Sequence, residues 1–152
     1  MIAQTVSAPA LTFQGDLARG FVLGVKAVAP EKYSYTLLYP FVHKIWPKQR
    51  TAGQELETAF AYLGSAVTLS KPLRSGEDMA LGFVLGVLAA SRNKIVPLPK
   101  IVEHAQACVD FADYAAVLAE ASRKLIGLVS IESMSGPVAQ WRLWLRFRSE
   151  TV

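Results

Sequence analysis

The stretch DLARGFVLGVKAVA, residues 16–29, returns 62 residues later as DMALGFVLGVLAAS, residues 78–91. Nine of the fourteen aligned positions are identical, and six of them form an unbroken GFVLGV. Apolar side chains recur at helical spacing in both copies, and Ser75 precedes the second copy at the spacing of a capping box. The repeat therefore predicts two helices with closely similar surfaces, over residues 13–29 and 76–91.

Each copy has two glycines four positions apart, so both glycines lie on one face of the predicted helix. A glycine inside a helix costs about 1 kcal/mol relative to alanine, which indicates that something approaches these faces closely. The order of residues is neither the GxGxxG of a dinucleotide loop nor a Walker loop, because no Gly-Lys-Ser/Thr follows. We predict that the two copies pack against each other near a pseudo-twofold axis. The helix-packing glycines are Gly20, Gly24, Gly82 and Gly86.

The composition of the 152-residue chain is typical of one folded domain, over residues 1–152. Hydrophobic residues make up 52% and charged residues 18%, a balance that disfavours disorder. The longest apolar run, residues 79–90, is too short for a membrane-spanning helix, which needs about twenty residues. A single cysteine and an N-terminus without a secretory leader are typical of the reducing cytoplasm. We therefore expect a cytoplasmic protein that does not enter a membrane.

The remaining apolar periodicity predicts further helices. A third helix starts near Thr51 and ends before Pro72. Pro40 interrupts the segment before it and predicts two short helical pieces there. Pro99 suits the first turn of a long helix, which follows a face of small residues as far as Ile126.

The C-terminal segment changes to an alternating pattern. Large apolar residues and arginines alternate from Trp141 to Arg148, which predicts a strand, although a helix also fits this spacing. A lone strand is unstable in water, so it would pair with the N-terminal residues 1–6 or with another chain. The predicted fold class is mainly α: a compact bundle of five to six helices with a short C-terminal β or irregular tail, over residues 137–152.

The sequence has no clear catalytic or metal-binding signature. His104 and Cys108 could hold one side of a metal, but two further ligands would have to come from elsewhere. Asp110 and Asp113 could form a carboxylate pair on the long helix, yet such residues more often face water. No serine or cysteine lies in a nucleophile motif. We expect no catalytic residue, no metal and no cofactor.

Basic residues form the most suggestive functional pattern. The net charge is +4, and Lys and Arg concentrate at predicted helix ends and in the tail. Cations at helix C-termini also interact favourably with the helix dipole, which is a purely structural explanation. Gathered on one surface, they would bind phosphates by charge, and Trp144 among the tail arginines could stack on a base. The candidate nucleic-acid-binding residues are Lys44, Lys48, Arg50, Lys71, Arg74, Arg92, Lys94, Arg123, Lys124, Arg142, Arg146 and Arg148.

The size, helical class and positive charge, with the phrases AYLGSAV (61–67) and ALGFVLGVL (80–88), resemble a known family. They are similar to the small subunit of type I CRISPR surveillance complexes and to the C-terminal helical bundle of their large subunits. The similarity covers roughly a third of the chain. It implies a non-catalytic subunit that lines an RNA-guided antiviral complex and supports the nucleic-acid backbone.

The sequence is compatible with three kinds of function. The first is such a nucleoprotein subunit, whose partners are RNA or single-stranded DNA and other protein subunits, with self-association as an option. The second is a small protein–protein adaptor or phage-type inhibitor, in which exposed Trp141, Trp144 and Phe147 anchor the interface. The third is a small ligand-binding protein or enzyme with an apolar pocket between the glycine-bearing helices.

Overall fold

The computed structural model describes residues 11–30, 34–66, 76–129, 131–134 and 136–144. Within these ranges the chain forms six α-helices and a three-stranded antiparallel sheet, which confirms the predicted mainly α class. The helices are α1 (Gly15–Val28), α2 (Tyr35–Ile45), α3 (Ala52–Ala66), α4 (Glu77–Ala90), α5 (Leu98–Gln106) and α6 (Tyr114–Ile126). The strands are β1 (Val96–Pro97), β2 (Ile131–Met134) and β3 (Gln140–Leu143), in the order β1-β3-β2.

The two copies of the repeat are α1 and α4, and their backbones are in contact. A methyl group added to Gly24 would lie 2.8 Å from the amide nitrogen of Val87 and 3.0 Å from Cα of Gly86. A methyl group added to Gly82 would lie 2.8 Å from the amide nitrogen of Phe21. Any side chain at these positions would therefore force the two helices apart.

The contact has the symmetry that the repeat predicts. Gly20 lies against the backbone of Met79 and Phe83, and its counterpart Gly82 lies against the equivalent residues of α1. The second glycines of the two copies lie against each other. Early residues of α1 thus meet early residues of α4, so the two helices run in the same direction. Small residues four apart permit similar close pairs between membrane helices, but no described helix here is long and apolar enough to span a membrane.

Helix α4 is the centre of the hydrophobic core. Every residue from Met79 to Ala89 is buried, as expected for a helix that is apolar on all sides. Helices α1, α5 and α6 and strand β3 pack around it. The N-cap of α4 is Gly76, which has no side chain to form a capping bond, and Ser75 of the predicted capping box lies outside the described residues.

A hydrogen-bonded aromatic cluster ties the chain before α1 to the loop between α2 and α3. Phe13 packs against Phe21 and Trp46, with ring centroids 5.7 and 4.7 Å apart. The side chain of Gln49 accepts a hydrogen bond from the backbone N–H of Phe13 at 2.9 Å and donates one to its carbonyl at 2.8 Å. Trp46 donates its indole N–H to the carbonyl of Leu11 at 2.7 Å.

The two helical pieces predicted around Pro40 are in fact one helix, α2. Proline removes the hydrogen bond to the carbonyl of Thr36, but both residues are exposed, so water can satisfy that carbonyl. Leu38 and Val42 are fully buried on the opposite face. Their burial keeps the helix continuous across the proline.

The long helix predicted over residues 99–126 is in fact two helices, α5 and α6, separated by seven residues. Val109 and Phe111 in this break are buried. Asp113 caps α6, because its carboxylate accepts a hydrogen bond from the backbone N–H of Ala116 at 3.1 Å. Burial and capping thus override the helical propensity of this alanine-rich segment.

Strand β3 confirms the strand predicted for the beginning of the tail; its partners in the described part of the chain are β1 and β2, and residues 1–6, one of the two predicted partners, lie outside the described residues. Its two edges are occupied by β1 and β2: Trp141 lies opposite Val96 on one side and opposite Ser133 on the other. Trp141 and Leu143 face the core and are buried. Trp141 is therefore not the exposed interface anchor that the sequence suggested.

Replacement of Gly82 by alanine tests the backbone contact. The added methyl group would overlap the carbonyl of Leu17 and press on the amide of Phe21, so α1 and α4 must separate. We expect the free energy of unfolding, measured with urea, to fall by about 1–3 kcal/mol. Gly127→Ala is the matched control, since no atom lies within 4 Å of the added methyl group and φ is −86°. Equal stability of the two variants would contradict the contact.

Replacement of Asp113 by alanine tests the break between α5 and α6. Loss of an N-cap costs about 1 kcal/mol, whereas alanine inside a continuous helix would stabilise it. We therefore expect Asp113→Ala to lower the free energy of unfolding and Asp113→Asn, which keeps an acceptor, to leave it nearly unchanged. If Asp113→Ala instead raises the stability measured by thermal or urea unfolding, α5 and α6 form one continuous helix and the break is wrong.

Candidate nucleic-acid interface

Eight of the twelve candidate nucleic-acid-binding residues lie in the described part of the chain, at four places in the fold. Lys44, Lys48 and Arg50 lie in the last turn of α2 and the loop before α3; Arg92 and Lys94 follow α4; Arg123 and Lys124 lie in the last turn of α6; Arg142 lies on β3. Lys71, Arg74, Arg146 and Arg148 lie outside the described residues, as does Phe147.

Three of these cations are engaged by carboxylates. The pairs are Arg123 with Glu120, Lys124 with Glu77, and Arg142 with Glu132. The Lys124 pair, 2.6 Å long, joins α6 to the first turn of α4. Exposed pairs of this kind stabilise a fold by at most about 1 kcal/mol, but each one offsets a positive charge that could attract a phosphate.

Arg92 and Lys94 line a pocket of about 500 Å³ where α1 and α4 end. Lys100 and His104 line the same pocket from α5. Its apolar wall consists of Val28, Ala90, Ile95, Val96 and Pro97. Four basic side chains and an apolar wall therefore surround one cavity. Only two of these basic residues, Arg92 and Lys94, were predicted from the sequence as binding residues.

The backbone that presents Arg92 has an uncommon conformation. Arg92 and Asn93 have φ angles of 51° and 67°, in the left-handed region that favours glycine and asparagine. This turn connects α4 to β1. An arginine in this region costs roughly 1–2 kcal/mol relative to the ordinary helical conformation. Its presence in a strained turn beside the pocket is consistent with a functional side chain.

The pKa of His104 lies below its ordinary value, which favours the neutral imidazole at pH 7. Burial lowers its pKa, the charge of Lys100 lowers it further, and Glu103 only partly opposes them. Lys100 itself forms an exposed ion pair with Glu103 at 3.0 Å, which lowers the pKa of that carboxyl. The pocket therefore contains three cations, Arg92, Lys94 and Lys100, and Lys100 is paired with the carboxylate of Glu103.

The His104–Cys108 pair does not form a metal site. The Cys108 sulfur donates a hydrogen bond to the His104 carbonyl at 3.5 Å. Although Cys108 retains exposed surface, desolvation of its thiol raises its pKa to about 11, so the thiol stays protonated at neutral pH. Among the described residues no group of three or more His, Cys, Asp or Glu could hold a metal ion.

Trp144 has a fixed orientation on the outer face of the sheet. Its indole N–H donates to Oε1 of Glu132 at 2.8 Å, and the guanidinium of Arg142 lies 4.1 Å from its ring centroid. Arg142 donates to the same oxygen, with its Nη2 at 2.7 Å. These bonds, that of Arg142 first, lower the pKa of Glu132. Trp144 remains 47% exposed.

Sequence reasoning missed Glu132 and Tyr39. Glu132 lies directly opposite Arg142 in the sheet, a relation that becomes visible only when β2 is known. Tyr39 is exposed on α2 and stacks on His43, with the rings 9° from parallel and their centroids 6.0 Å apart. The spacing of four residues within a predicted helix was the signal that could have identified this pair.

The pocket expected between the glycine faces of α1 and α4 does not exist, because the two backbones occupy that space. The basic residues that the structure brings together are those around the pocket at the other end of these helices, Arg92, Lys94 and Lys100. Comparison with known proteins gives no match to a protein-family model, to a curated protein or to a solved structure.

Proposed function

We propose that the protein is a non-catalytic helical subunit of an RNA-guided, CRISPR-type nucleoprotein complex, and that it binds phosphates of RNA or single-stranded DNA in the pocket beyond α1 and α4. The convergence of Arg92, Lys94 and Lys100 on this pocket carries the proposal. The resemblance of the glycine-containing helices to the small subunit of such complexes agrees with it. Neighbouring protein subunits are the other expected partners.

The electrostatic balance of the pocket favours an anion. Helices α1 and α4 both end there, and each C-terminus contributes about half a negative charge. Glu103 offsets one of the three cations. Arg92, Lys94 and Lys100 thus face these opposing charges together at one cavity, where an incoming phosphate would meet all three. The apolar wall offers no hydrogen-bonding pattern for base edges, so this pocket would hold a backbone rather than read a sequence.

The adaptor hypothesis is the second candidate, and the exposure of Trp144 favours it. The structure weakens this hypothesis, because Trp141, one of the expected interface anchors, is buried in the core. Binding of a protein partner would depend on Trp144 and not on the pocket cations, whereas binding of nucleic acid would depend on Arg92 and Lys94. The two candidates therefore predict different sensitive residues.

Neutralising the pocket should weaken nucleic-acid binding and flatten its salt dependence. For single strands the logarithm of the binding constant falls with a slope of about −0.7 per phosphate contact, so Arg92→Gln with Lys94→Gln should flatten the slope by about 1.4. Fluorescence anisotropy with a labelled oligonucleotide at several salt concentrations measures this slope. Arg123→Gln with Lys124→Gln removes the same charge from cations that already have carboxylate partners, and should leave the slope almost unchanged. Equal effects of the two double variants would contradict the proposed pocket.

Phosphate binding should raise the pKa of His104. In the free protein an NMR titration of its ring should give a midpoint below the ordinary value of about 6.5. A phosphodiester in the pocket favours the imidazolium, so the oligonucleotide should raise the midpoint, and its affinity should increase as the pH falls from 7 towards 5. His104→Gln should remove this pH dependence, while His43→Gln should keep it. A midpoint that the oligonucleotide does not move would place the phosphates elsewhere.

A further inference from the structure

We propose that Trp144 is a stacking platform for one base of a single-stranded nucleic acid whose phosphates lie in the neighbouring pocket. This inference rests on the proposed function and adds to it the kind of strand that is bound. It also assigns Arg142 a different role from the one suggested by sequence. Arg142 packs on the indole ring of Trp144 and holds it in place instead of binding a phosphate.

The indole ring is held in place before any ligand arrives. Its N–H is fixed by Glu132 at 2.8 Å, and the guanidinium of Arg142 packs on the ring. Glu132 also binds that guanidinium, so the three side chains form a closed cluster with no net charge. Because the ring is already ordered, a base that stacks on its exposed surface loses little affinity to side-chain ordering.

The strand register brings this platform close to the pocket. Val96 pairs with Trp141 and Pro97 with Gln140, in antiparallel orientation. Continuing this register places Ile95 beside Arg142, so the segment from Arg92 to Ile95 approaches the end of the sheet where β3 leads into Trp144. Two residues along a strand span roughly 7 Å, so Trp144 lies about that far beyond Arg142.

The outer face of the sheet continues the wall of the pocket. Trp141 and Leu143 point into the core, so Arg142 and Trp144 project from the opposite face. In the continued register Ile95 falls on this outer face, and it is 40% exposed and also lines the pocket. Ile95 would therefore connect the wall of the pocket with the face of the sheet that carries Trp144.

This arrangement fits a single strand better than a duplex. In a duplex the bases are paired and stacked on one another, so no base offers a free face to the protein without unstacking. Single strands expose their bases, and aromatic side chains beside a basic groove bind them with little sequence preference. The cations that would steer the strand are those of the pocket, because Arg142 is already neutralised by Glu132.

The chain provides its own fluorescent probe for this contact. It has three tryptophans, of which Trp46 and Trp141 are 7% and 3% exposed and Trp144 is 47% exposed. Quenching by iodide or by a stacked base therefore reports mainly on Trp144. The probes are a single-stranded oligonucleotide and an abasic oligonucleotide of the same length, which keeps the phosphates and removes the bases.

We expect the oligonucleotide with bases to quench the fluorescence and to protect it from iodide, and we expect the abasic strand to bind without quenching. Trp144→Ala should weaken binding of the strand with bases about five- to hundredfold and leave binding of the abasic strand unchanged. Tyr62→Ala is the matched control, because Tyr62 on α3 is also an exposed aromatic residue whose ring lies under a guanidinium, that of Arg19. It should change neither affinity.

The outcomes separate this inference from the proposed function. If Arg92→Gln with Lys94→Gln abolishes binding while Trp144→Ala binds both strands like the wild type, the platform is wrong and the pocket stands. If neither strand binds at low salt, both proposals are overturned. If Trp144 becomes protected from iodide as the protein concentration rises without nucleic acid, its surface serves self-association and the platform is overturned.

Discussion

The contact between the backbones of α1 and α4 constrains the rest of the fold. Because no side chain lies between them, the helices run side by side at close range, and because they point in the same direction their C-terminal ends emerge together. Val28 at the end of α1 and Ala90 at the end of α4 accordingly line the same pocket. The turn that follows α4 then carries Arg92 and Lys94 to the rim of that pocket. The candidate site is thus a consequence of the repeat, although none of its basic residues belongs to the repeat.

Burial of the neighbouring apolar side chains compensates for the low helix propensity of the four glycines. Each costs about 1 kcal/mol of helix stability relative to alanine. Full burial of a Leu, Val or Phe side chain contributes about 1.5–3 kcal/mol, and α4 buries Phe83, Val84 and Leu85 completely. Close approach of the backbones also adds dispersion contacts and weak Cα–H···O hydrogen bonds. A helix buried on every side can therefore tolerate two glycines that would weaken an exposed helix.

Sequence patterns predicted those features that depend on local spacing. The repeat predicted the ends of the two central helices to within two residues, and its glycines predicted that these helices pack against each other. Prediction failed where distant burial decides: α2 continues through Pro40 because Leu38 and Val42 are buried beneath it, and the long helix breaks because Val109 and Phe111 turn inward. The pairing of β3 with β1 could not be predicted either, because β1 is two residues long and has no strand pattern of its own.

The same limit applies to the basic residues, whose charges cannot be interpreted from sequence one by one. Lys124 is offset by Glu77, a carboxylate 47 positions away in the chain, and Arg142 is offset by Glu132 on another strand. Such pairs depend on which elements become neighbours, so a count of Lys and Arg overstates the surface available to a polyanion. Arg92 and Lys94 are the candidate cations that line a cavity, together with Lys100. A modest net charge of +4 can still support binding when it is concentrated in this way, because the local field depends on the nearest few charges and not on their total.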